Sequence, residues 1–108
     1  MKKNVATGLA AAAAIVVCAS AAQAAEMPDV RILVTNCFNC HGTNGMSVGI
    51  IDELDQLPAR RITSKMIEFK TDKKASTIMN RIAKGYTEAE IEVMSQYIEK
   101  VNAGKGSK

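Results

Sequence analysis

Cys37-Phe38-Asn39-Cys40-His41 gathers two of the three cysteines and the single histidine of a 108-residue chain into one short run. The pattern is C-x-x-C-H, and its spacing has a chemical reading. Two thiols about one turn apart can each add across one vinyl group of a porphyrin, giving two thioether bonds. The residue directly after the second cysteine then projects its imidazole at the iron. Cys37 and Cys40 are thus read as the attachment points of one covalent haem c, and His41 as its proximal iron ligand. A redox dithiol would expect a βαβ pattern around the motif, and none is visible. A zinc site built on Cys37, Cys40 and His41 would need a fourth ligand, and no second Cys/His cluster follows.

The front of the chain has the layout of a secretory signal peptide, residues 1–24. Lys2 and Lys3 precede the apolar run "GLAAAAAIVVCASAA", and Ala22-Gln23-Ala24 forms a small-x-small cleavage site. The run is shorter than the ~20 apolar residues of a spanning helix, so no membrane anchor is expected after cleavage. Cys18 leaves with the run; Val17 before it is not the small residue that precedes a lipid-modified cysteine. The expected location is the periplasm, where haem attachment takes place. Residues 25–108 remain as one domain, with the formal charge of +3 reduced by the loss of two lysines. No dense basic stripe and few aromatics argue against a nucleic-acid partner. So small a domain needs a staple. A disulfide across a two-residue gap would constrain little, and haem is the larger one.

Four stretches must position this chemistry. In "MPDVRILVTNC" the alternation of Val30, Ile32 and Val34 favours a strand. Val30, Leu33, Val34 and Cys37 also fit one helical face, and Pro28 suits a first turn. "LPARRITSKMIEFK" predicts a helix opened by Pro58, with Ile62, Met66 and Phe69 as a core stripe. Thr87-Glu88-Ala89-Glu90 reads as a capping box opening a helix over Glu88 to Val101, with Ile91, Met94, Ile98 and Val101 inward. Gly85 ends a short turn after Met79. "HGTNGMSVG", with three glycines, predicts a loop that runs close to the ring edge. The tail "NAGKGSK" is expected to fray.

A lone C-x-x-C-H near the start of the mature chain resembles the class I cytochromes c. The resemblance implies a small all-α fold, three main helices around one covalently bound haem, and so favours the helical reading of the first stretch. It also implies a methionine from the C-terminal half as the sixth iron ligand, a pairing that raises the potential and suits electron transfer. Met27 lies at the start, Met46 is too close to His41, and Met66 and Met94 lie on core stripes. Met79, between the polar loop Lys70 to Lys74 and the last helix, is the expected distal ligand. In this class a proline carbonyl commonly accepts from the histidine Nδ1–H. Here the corresponding place reads Gly49-Ile50-Ile51, and Ile50 is the candidate carbonyl.

Glu68 to Ile98 is more specific. Thr77-Ile78-Met79, Arg81-Ile82 and Lys84-Gly85-Tyr86, ahead of the acidic start of the last helix, resemble the cytochrome subunit of flavocytochrome c sulfide dehydrogenase. Asp72 and Ala75 depart from that pattern, standing where it has glycine and proline, which bears on the loop before Met79. The resemblance implies an FAD-containing flavoprotein partner that oxidises sulfide and passes single electrons to this haem, which gives them to a soluble acceptor such as another cytochrome c. The chain would not be an enzyme on its own, having no FAD fingerprint and no spare thiol. The alternative is a free-standing monohaem carrier between respiratory or photosynthetic complexes. A ligand-binding or peroxidase haem would need an open sixth position, against Met79. Arg60, Arg61, Lys65, Lys70, Lys73 and Lys74 are read as a solvated face rather than a steering patch, and Arg81 is a candidate partner for a haem propionate.

Overall fold

Asp29 starts the first helix. Its carboxylate accepts the Arg31 backbone N–H at 2.9 Å and pairs with the Arg31 guanidinium at 2.6 Å. Helix α1 then runs Val30–His41. In this computed structural model residues 26–105 and Gly8 are described, and the expected signal peptide, Gly8 apart, lies outside them. The rivalry between strand and helix in α1 is resolved by burial. Val34 is buried and Val30, Leu33 and Cys37 pack at the core edge, whereas Ile32, which only the alternating pattern would bury, is 69% exposed. Pro28 lies just ahead of the cap rather than in the first turn.

A 3-10 turn, Thr43–Gly45, follows, and then helix α2, Ala59–Lys70, with Pro58 at its N-cap. Ile62 and Met66 are buried on its inner face, with Phe69 packed beside them. The helix ends where the Thr71 hydroxyl turns back to the Ile67 carbonyl at 2.8 Å. Asp72 then adopts φ +57°, the left-handed region, where the resemblance pattern has glycine. Aspartate is among the few residues that visit this region routinely.

The short turn expected after Met79 is a true helix, α3, Met79–Lys84, closed by Gly85. Helix α4, Glu88–Asn102, opens with the capping box: Thr87 Oγ1 accepts from the Glu90 N–H, and the Thr87 N–H donates to Glu90 Oε2 at 2.7 Å. Helix α4 lies against both α1 and α2, and α3 against α2. Ile91, Met94 and Ile98 meet Val34, Ile62, Met66 and Ala83 in one core. The described residues are helical with no strand, and no helix among them is long and apolar enough to cross a membrane.

Three carboxylates, Asp29, Asp72 and Glu90, secure the ends of these elements. Hydrogen bonding from the Arg31 side chain lowers the Asp29 pKa to about 2; the Thr87 N–H holds Glu90 below its usual value, and the Lys84 ammonium does the same for Asp72. A carboxylate with a depressed folded pKa contributes stability above the ordinary range and loses it as pH falls through the folded value. The urea midpoint should therefore hold level from neutral pH to about 5 and then decline. A Glu90→Gln variant keeps a capping partner but loses the titrating group, so its decline should be shallower. Urea melts of the two proteins across the acid range check this.

Candidate functional site

The last turn of α1 puts Cys37, Cys40 and His41 at i, i+3 and i+4, so all three share one helical face. All three line one cavity of about 580 Å³, and Met79, at the first position of α3, lines it too. Its walls are largely apolar, with Ile62, Met66 and Phe69 from α2 and Ile91, Met94 and Ile98 from α4. Ile50, Ile51 and Ile78 also line it, although they are 102%, 42% and 57% exposed.

The geometry at His41 is set by the loop after α1. Gly42 leaves the helix at φ +81°, and a Cβ there would run into the Met46 carbonyl. Gly45, also at φ +81°, sits so close to the returning chain that a Cβ would come 2.7 Å from Leu54 Cβ. Its carbonyl accepts the Leu54 N–H at 2.8 Å and the Asp55 N–H at 3.3 Å. That docking brings the Asp52 carbonyl to 2.6 Å from His41 Nδ1. Nδ1 thus carries the proton, and Nε2 keeps its lone pair. The expected carbonyl was that of Ile50; it is instead Asp52, because the two N–H groups anchored on Gly45 belong to Leu54 and Asp55. The Asn102 side chain secures the same loop from α4, donating to the carbonyls of Asn44 and Ile98 at 2.8 Å each.

Burial pushes the Cys37 thiol above its ordinary value. Reactive thiols of C-x-x-C pairs are shifted the other way, which counts against the redox dithiol. Among the described residues no group of three or more His, Cys, Asp or Glu could hold a metal ion, so Cys37, Cys40 and His41 gain no fourth zinc ligand from them. The methionines differ in burial and position. Met66 and Met94 are built into the core as well as facing the cavity, Met27 and Met46 are exposed away from it, and Met79 is half-buried at its edge.

The cytochrome c family profile matches residues 30–102, which spans α1 to the end of α4. The chain belongs to the cytochrome c family. The cytochrome is 39% identical over 67 residues to the cytochrome subunit of sulfide dehydrogenase from Chlorobaculum tepidum, 62% of this chain and 61% of that protein. It therefore spans about three-fifths of that relative's length. It is also 31% identical over 65 residues to cytochrome c-553 from Desulfomicrobium norvegicum, 57% of this chain and 81% of that protein. The helices have the class I cytochrome c architecture, and the cytochrome binds haem c covalently and works by haem-based electron transfer.

The cavity fits that group. It offers two thiols, an imidazole with its tautomer set, a thioether, an apolar lining for a flat macrocycle, and two lysines for carboxylate side arms. Those lysines are Lys65 and Lys74; Arg81, the candidate propionate partner from the sequence, is exposed and does not line the cavity. Arg81 lies two positions into α3 from Met79, which turns it to another face. Of the basic cluster only these two lysines reach the cavity. The Tyr86 hydroxyl accepts from the cavity-lining Asn36 amide at 3.1 Å. No composition or spacing signal marks Asp52, since its role belongs to a backbone carbonyl.

Proposed function

We propose that this is a periplasmic electron carrier in which Cys37 and Cys40 hold haem c through thioethers, His41 is the proximal ligand and Met79 the distal ligand. The observation that carries the reading is the convergence of these four side chains on one apolar cavity, with His41 Nδ1 held by the Asp52 carbonyl. Bound haem supplies a one-electron couple. The protein's residues do the rest. The Asp52 carbonyl orients the imidazole and raises its donor strength. The apolar walls from α2 and α4 exclude water, and a neutral thioether at Met79 favours the reduced form.

Electrons would come from an FAD-containing sulfide dehydrogenase subunit and leave to a soluble acceptor such as another cytochrome c. Likeness to the Chlorobaculum protein supports that donor. The second reading, a free-standing carrier, draws on likeness over 81% of cytochrome c-553. Native purification without denaturant tests them. A subunit should co-elute with flavin and be reduced on adding sulfide to the complex. Haem eluting free of flavin, and unreduced by sulfide in the crude periplasmic fraction, would overturn the subunit reading in favour of the carrier.

A further inference from the structure

We propose that Asn80 is the positioning residue for Met79, acting through the loop that precedes it. The inference rests on the reading of Met79 as the distal ligand. All of residues 71–78 are exposed, and Lys74, Ala75, Ser76, Thr77 and Ile78 line the cavity. Hydrogen bonds are what the chain itself supplies to shape this stretch. Its first half is tied to the end of α2: the Thr71 N–H to Ile67, Asp72 to Phe69, and Lys73 and Lys74 to Glu68. After Lys74, backbone bonds among the described residues resume only where the Ile78 carbonyl accepts the Arg81 and Ile82 N–H groups of α3.

One amide spans the interval. Asn80 Nδ2 donates to the carbonyl of Lys74 at 2.8 Å and that of Phe69 at 3.1 Å, with Asp72 Oδ1 at 3.3 Å. Its Oδ1 accepts from the Ser76 hydroxyl at 2.5 Å, and its backbone N–H donates to the same hydroxyl at 3.0 Å. The end of α2, the left-handed corner at Asp72 and both halves of the loop thus converge on one side chain. Lys84, 2.6 Å from Asp72 Oδ2, braces the corner from the far end of α3. Asn80 follows Met79 directly, so fixing its backbone places the Met79 Cα about 3.8 Å away. A neutral sulfur is a weak ligand, and its hold depends on how firmly it is presented. Asn80 is half-buried and is not among the residues of the hydrophobic core.

The test uses the haem-loaded full chain, read by the sulfur-to-iron charge-transfer band of the ferric form and by the rate at which cyanide enters. Asn80→Ala should weaken the band and speed cyanide entry about tenfold, the scale on which partners of metal ligands act. Ser76→Ala, at an exposed site, should shift both readouts the same way by less. Ser64→Ala, which removes an exposed hydrogen bond to Glu68 elsewhere on α2, should leave them unchanged. A band present in wild type, lost in Met79→Ala, yet undiminished in Asn80→Ala and Ser76→Ala with unaltered cyanide entry, would overturn the positioning role alone. A wild-type protein without the band would overturn the ligand reading, and this inference with it.

Discussion

Serine at both Cys37 and Cys40 should give a chain with no covalent haem and little helix. Oxygen replaces both sulfurs, no thioether can form, and the group must then be held by iron ligation and burial alone. Once it dissociates, the core residues Ile62, Met66, Ile91, Met94 and Ile98 are left facing a cavity of about 580 Å³. Exposing that apolar lining to water, at ~25 cal/mol per Å² of apolar surface, costs on the order of several kcal/mol. That is comparable to the ~5–15 kcal/mol that holds a whole domain folded. The double variant, produced alongside haem-attachment machinery, should show the mass of bare polypeptide, a colourless protein fraction after acid-acetone extraction, and a collapsed far-ultraviolet helical signal. Single serine variants should retain one thioether and part of the helix. Covalent haem surviving extraction in the double variant would refute the attachment reading.

Met79→Ala should lower the midpoint potential by on the order of 0.2 V, within the ~0.8 V range that axial ligands command. The sulfur-to-iron band should vanish, and the ferrous protein should bind carbon monoxide. The matched controls are Met66→Ala and Met94→Ala. Both residues line the same cavity but are built into the core. Truncating either should cost roughly 2–5 kcal/mol of stability while leaving the band in place. Redox titration and denaturant melts of the three variants separate a ligand from filler. A potential unchanged in Met79→Ala, with the band lost instead in one of the core variants, would move the ligand assignment.

The sequence exposed side-chain chemistry well and backbone chemistry poorly. Cys37, Cys40 and His41 announce themselves because few functions need that spacing, and the inward faces of α2 and α4 follow from apolar residues three and four apart. The first helix was ambiguous because Val30, Ile32 and Val34 satisfy both periods; only the packing of Leu33 and Cys37 beside buried Val34 decides it. Asp52 was hidden because every residue carries a carbonyl, and which one reaches His41 depends on where Gly45 catches Leu54 and Asp55. Asn80 was hidden for a related reason. Its side-chain amide's acceptors lie on a helix end, a left-handed corner and the loop beyond, which propensity alone does not place. Arg81, two residues past Met79, turns to another face of α3 and does not line the cavity.

The Asn102 amide is the closing stitch of the molecule. It joins the last residue of α4 to Asn44, 58 positions earlier and a few residues past the haem motif. The corner that seats Asp52 against His41 is therefore finished only when the far end of the chain arrives. A polypeptide growing from its front presents Cys37 and Cys40 long before that, so both thiols precede the contact that completes the loop beside His41.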